Sequence, residues 1–197
     1  MNRHVAPLLG LLALLPGCVS MQAVKDYSSY SRSTVESVNP VAKDFYNSCL
    51  RANSYKPLAV HSKCTSEQEA SKAIMKVAGV LDAYGAALGA LASDELVDYS
   101  ADVAKLTAEV KKLKNFDDKK KVDALGKLSS LIANAATSAY QQKEVVKFIQ
   151  AGDDSVTTVS NGLADLVASN YSQAIELELS AWENEYKGAE RAERNSK

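Results

Sequence analysis

The sequence predicts an all-α protein: an up-and-down antiparallel helical bundle of four long helices plus a short, disulfide-stapled N-terminal helix. Two observations carry the prediction. Apolar residues at Ile74, Val77, Leu81, Tyr84, Leu88 and Leu91 recur at alternating intervals of three and four, which puts them on one face of a helix. Leu96, Tyr99, Val103, Leu106, Val110 and Leu113 repeat the pattern after a very short connection, so the two helices pair antiparallel along matching seams. A third observation excludes sheet: no segment shows the period-two alternation of a half-buried strand.

The elements follow in order. Residues 19–38 are rich in Ser and Tyr without a sustained period and are expected as a tether that turns helical towards Val35. Asn39-Pro40 looks like a cap and a first helical residue, where proline's missing donor costs nothing. A short helix carrying Val41, Phe45 and Cys49 then ends near Asn53, and residues 54–63 form a loop. Thr65-Ser66-Glu67-Gln68-Glu69 supplies overlapping capping boxes for the helix holding Ile74 to Leu91. Ser93-Asp94-Glu95 opens the next helix, with acids where the helix dipole favours them. Asn115-Phe116-Asp117-Asp118 turns the chain into a third seam of Leu125, Leu128, Ile132, Ala135, Ala139, Val146 and Ile149. Ala151-Gly152-Asp153-Asp154 is expected to end that helix and cap the last one. The last seam is Val156, Val159, Leu163, Leu166, Ala174 and Leu177, continuing past Trp182 and Tyr186 into a charged end.

The chain begins Met1-Asn2-Arg3-His4 and runs apolar from Val5 to Leu15. A cationic start and a short apolar stretch form the export-signal pattern, and the stretch is too short for a span of about twenty residues. It closes on Leu15-Pro16-Gly17-Cys18, which resembles the lipobox of bacterial lipoproteins, although Pro16 stands where a small residue is usual. The resemblance covers these eighteen residues alone. It implies removal of residues 1–17 and acylation of Cys18, leaving residues 18–38 as lipidated cysteine and tether and 39–197 as a single helical domain. It also implies attachment to a membrane through Cys18. Because Val19 and Ser20 rather than Asp follow the cysteine, the resemblance places the protein at the outer membrane, facing the periplasm.

Removing residues 1–17 takes away one charge, Arg3, so 22 basic and 24 acidic residues remain of the 23 and 24 in the whole chain. That balance lacks the basic excess of a nucleic-acid footprint. Once Cys18 carries lipid, the other two cysteines, Cys49 and Cys64, are expected to pair as a disulfide in an oxidising compartment. The loop they close contains Arg51, Lys56, His61 and Lys63 and no acid; these four residues are the candidate partner-binding site.

Chemistry has little to stand on. His61 is the only histidine after residue 17, so a metal centre is not expected, and no phosphate loop, metalloprotease helix or nucleophile elbow occurs. The pairs Asp117-Asp118 and Asp153-Asp154 read as caps. Gly85 and Gly89 share a face and suggest close helix approach, and Tyr84, Tyr99, Tyr140 and Tyr171, one per long helix, suggest core edges or a pocket. No cofactor or catalytic residue is expected. The function class this leaves is a lipid-anchored binding or scaffolding protein of the cell envelope with a protein partner. Two other readings are an immunity or inhibitor protein against an envelope-targeted toxin or enzyme, and a carrier of a lipid or small apolar ligand.

Overall fold

The computed structural model describes residues 20–93, 100–110, 118–135 and 142–196. The lipobox, Asp94 and Glu95 of the expected helix start, Tyr99, Asn115 to Asp117 and Tyr140 lie outside those residues. The described chain is all-α: α1 Met21–Glu36, α2 Val38–Ser54, a 3-10 turn Leu58–Val60, α3 Thr65–Ser93, α4 Ser100–Val110, α5 Lys119–Ala135 and α6 Gln142–Asn195.

α3 is the centre of the molecule, packing against each of the other helices. Its expected seam is buried in full, from Ile74, Val77 and Leu81 to Tyr84, Leu88 and Leu91. The alanines and Val80 between them are buried as well. A helix enclosed on nearly all sides no longer needs a single stripe. By length and composition α3 could cross a membrane, but most of its apolar window lies inside this core.

The segment expected as a tether is instead a helix. α1 begins at Met21, capped by the Ser20 hydroxyl accepting from the Ala23 N–H at 3.3 Å, and lies along α3. Its buried residues are Val24 and Ser28, so the face it turns inward is small and half polar, which is why no apolar period announces it. Ser28 donates to the Gly85 carbonyl at 2.6 Å, and Arg32 Nε reaches Asp82 at 2.8 Å. A Cβ on Gly85 would stand 2.8 Å from Arg32 Cγ, and one on Gly89 would stand 2.6 Å from Ser28 Oγ. The two glycines thus let α1 approach, as expected of a close-packing face, but the approaching helix is the one the sequence concealed. Only Ser37 separates α1 from α2, and Pro40 falls inside the first turn of α2, where it is tolerated.

The second correction concerns the last two seams. Gly152-Asp153-Asp154 neither ends nor starts a helix, because α6 runs unbroken from Gln142 to Asn195. Gly152 is there for space. A Cβ on it would meet the Tyr84 ring, 2.7 Å from Cζ, and that ring stacks on Phe148 at a centroid distance of 4.8 Å. Asp153 and Asp154 are consequently exposed mid-helix residues, not caps. The core of α6 takes Val145 and Phe148, where the expected register had Val146 and Ile149, and then Val159, Leu163, Leu166 and Ala174. Leu177, expected in the seam, is exposed.

Long-range pairs fix the directions. Ser28 on Gly85 and Arg32 on Asp82 set α1 against α3, while Asp44 on Tyr171 and Arg51 on Glu178 set α2 parallel to α6. The start of α1 lies beside Ile149 and Asp153 at one end of the bundle. The disulfide loop and the C-terminal stretch of α6 lie towards the other.

Candidate binding surfaces

The expected disulfide is formed: Cys49 on α2 is bonded to Cys64, with Cα atoms 5.8 Å apart. Cys64 has φ 53°, a left-handed conformation unfavourable to a side chain. Its backbone is held by the Ser62 hydroxyl accepting from its N–H at 3.1 Å, and by its carbonyl accepting the first helical bond of α3 from Gln68 at 3.0 Å. Asn53 closes the loop from the α2 side, donating to the Ser62 carbonyl at 2.7 Å and accepting from the Ser62 N–H at 2.9 Å. With both sulfurs bonded, the cluster of Cys49, Cys64 and Glu67 has no thiolate to offer a cation.

The four candidate basic residues are not brought together. His61 and Lys63 are exposed, and His61 Nε2 lies 2.9 Å from the Lys56 carbonyl, which curls the loop onto itself. Arg51 is drawn away along α2. Its Nε and Nη2 donate to Glu178 at 2.6 and 2.9 Å, and Nη1 donates to Asp44 at 2.7 Å. Ser48 donates to the same Glu178 at 2.6 Å, and the Tyr171 hydroxyl donates to Asp44 at 2.8 Å. Hydrogen bonding from Arg51 holds both carboxyls below their ordinary range, with Tyr171 helping at Asp44 and Ser48 at Glu178. The same bonds, to Glu178 first, raise the guanidinium's affinity for its proton, and the bond to Asp44 raises the Tyr171 phenol. Arg51 is therefore a clamp between α2 and α6. What the loop shows solvent most plainly is aliphatic: Leu58 is 85 % exposed and Val60 62 %.

Of the four tyrosines, two are described, and they do not converge. Tyr84 is buried against Phe148 and Gly152 and donates to the Phe148 carbonyl at 3.3 Å, whereas Tyr171 sits at the Arg51 cluster. Burial pushes the Tyr84 phenol up to about 12, with Tyr27 and Asp153 adding to the rise. Beside Tyr84 an open cavity of about 320 Å³ lies between α1, α3 and α6, lined by Val24, Tyr27, Leu88, Ile149 and Val156. A second hollow of about 270 Å³ shares Tyr27, Tyr84, Leu88 and Val156 and follows α1 to Val35. The two form one apolar groove along the flank of α1.

The surface that sequence reasoning missed is on α6. Tyr171, Ala174, Glu178 and Ala181 face α2 and the core. One residue further round the helix, about 100°, stand Ile175, Leu179, Trp182 and Tyr186. They are 38 %, 51 %, 48 % and 55 % exposed. Their intervals of four, three and four repeat a coiled-coil seam, and Trp182 and Tyr186 stack at 5.8 Å. The signal was present in the sequence as a second register, hidden because the first register was taken to continue through Leu177.

No protein-family model, curated protein or solved structure matches the chain.

Proposed function

We propose that the protein is a lipid-anchored, non-catalytic scaffold of the cell envelope, held through acylated Cys18 and presenting the free end of α6 to a protein partner. The observation that carries this reading is the separation of the two ends. Cys18 is two residues from Ser20, so chain geometry keeps it within roughly 7 Å of the start of α1, beside Ile149 of α6. Tyr186 stands 37 residues further along the same helix, which at 1.5 Å per residue is about 55 Å. In this reading the helices alternate through α4 and α5 as an up-and-down bundle, and α6 is the strut that carries an apolar stripe away from the membrane. The outer membrane, on its periplasmic side, is the location the lipobox context favours.

The test joins fractionation to position-specific cross-linking. Cys18→Ser is expected to release the protein from membranes or leave it uncut. A photo-reactive residue at Leu179 or Tyr186 is expected to give one discrete protein adduct, and the same residue at exposed Thr157 none. Unchanged membrane attachment of Cys18→Ser overturns the anchor, and equal labelling from all three positions overturns the presenting surface.

The groove along α1 favours a second reading, a carrier of a lipid or small apolar molecule. Its lining is mainly apolar, with Ser20, Asp153, Thr34 and Ser160 at its edges, and sixteen residues of α1 span roughly 24 Å, longer than the half-thickness of a bilayer core at about 15 Å. Acyl chains recovered in extracts of the purified protein would support it.

A further inference from the structure

The stripe on α6 carries its own statement about what covers it. With Ile175, Leu179, Trp182, Tyr186 and Ala189 as the seam, the positions bordering it on one side are Glu176, Glu183 and Glu190, and on the other Glu178 and Glu185. Every charged residue of α6 that directly borders the seam is therefore acidic. The basic residues of this stretch, Lys187, Arg191 and Arg194, lie on the outer faces. Lys187 reaches Glu183 at 3.4 Å, and Glu178 belongs to the Arg51 clamp. Glu176, Glu185 and Glu190 enter no ion pair among the described residues. In two-stranded coiled coils these flanking positions select the partner.

That pattern rules against a second copy of the chain. In a parallel pair each flank faces the opposite flank of its partner, and in an antiparallel pair each faces its own kind. Both arrangements bring glutamate against glutamate beside the apolar contact, where like charges are repulsive. An anionic lipid surface meets the same objection.

We propose that the Ile175–Ala189 stretch of α6 docks an amphipathic helix of another protein, one whose apolar stripe is bordered by lysine or arginine. The proposal rests on the reading of α6 as a presenting surface and names the partner's chemistry. The stacked pair of Trp182 and Tyr186 is the anchor, since large aromatics at the centre of a contact carry most of its energy. Their bulk requires alanine or glycine opposite them on the incoming helix. Fifteen residues make about two heptads, roughly 22 Å of contact, so the pairing depends on its charged borders as well as on its apolar seam.

Trp182 is the only tryptophan in the chain, so its fluorescence reports the seam directly. The lipid-anchored protein is placed in vesicles of neutral phosphatidylcholine and titrated with two synthetic helical peptides. Both carry the same leucine and alanine stripe, one bordered by lysine and the other by glutamate. The lysine peptide is expected to shift Trp182 emission to the blue and to bind about tenfold more weakly as ionic strength rises from about 0.01 to about 0.15 M. The glutamate peptide is expected to leave emission unchanged. Reversal of the exposed Glu176, Glu183, Glu185 and Glu190 to lysine is expected to exchange the two peptides' effects with helix content unaltered.

No shift with the lysine peptide overturns the proposal, as does an equal shift with both. Blue emission before any peptide is added points to lipid or self-association, separated by diluting the vesicles and by sedimentation, and overturns it too. Flotation with the vesicles reads the anchor independently. A protein that floats but ignores the lysine peptide loses the partner chemistry alone. One that binds the peptide without floating loses only the anchor.

Discussion

Arg51 Nε stands 2.6 Å from Glu178 Oε1, joining α2 to α6 across 127 residues of sequence. The same guanidinium reaches Asp44 about two turns back along α2, so a residue that looks like a loop cation is the fastening of two helices.

This clamp gives the protein an acid dependence. Asp44 and Glu178 are held below their ordinary values of 3.8 and 4.5, so their ionised forms are favoured in the fold. The stability they add is present above those values and is lost as pH falls below about 4.5 through the lowered ones. Arg51→Met is expected to lower the melting temperature at neutral pH by a few degrees. That corresponds to on the order of 1 kcal/mol, because the guanidinium is partly exposed and screened. The same substitution should flatten the loss of stability between about pH 4.5 and 2. Thermal melts by circular dichroism across that range check both; an unaltered acid slope would show that the clamp contributes nothing.

Glycine substitutions at two helical positions are expected to have opposite signs. Gly126 in α5 has nothing within 4 Å of an added Cβ, so Gly126→Ala should stabilise by about 0.5–1 kcal/mol through helix propensity. Gly152→Ala meets the Tyr84 ring and should destabilise by about 1–3 kcal/mol despite the same propensity gain. Adding Tyr84→Leu to Gly152→Ala should recover part of that loss, a coupling that denaturant titration of the four variants would measure.

The docking of α1 can be tested apart from the rest of the fold. Gly89→Val presses on Ser28 and is expected to lift α1 from α3. Amide protection would then be lost over residues 21–36 and kept in α5 and α6. Protection unchanged throughout would mean that α1 does not depend on this approach.

Thiol titration of the unfolded, unreduced protein should find neither Cys49 nor Cys64 free. Reduction should cost about 3 kcal/mol for a loop of 15 residues, with Asn53 still tying Ser62 to α2. Two titratable thiols before reduction would contradict the bridge.

What the sequence determined by itself is everything carried by a repeated apolar spacing or by chemistry local in the chain. The heptad intervals from Ile74 to Leu91 specify α3, since burying that stripe is the only way to keep it from water. The two cysteines remaining after Cys18 specify their own bridge. Asp118 caps α5 as expected, accepting from the Lys120 N–H at 2.9 Å. What only the tertiary structure decided depends on partners distant in sequence. Whether Ser28 faces water or Gly85, whether Gly152 breaks a helix or makes room for Tyr84, and whether Arg51 meets a ligand or Glu178 are set by residues 57 to 127 positions away. The α6 stripe belongs to the same class. Ile175, Leu179, Trp182 and Tyr186 differ from a core seam only in that the bundle spends its contacts on the adjacent face of α6, a choice made when α2 docked through Ala174 and Glu178.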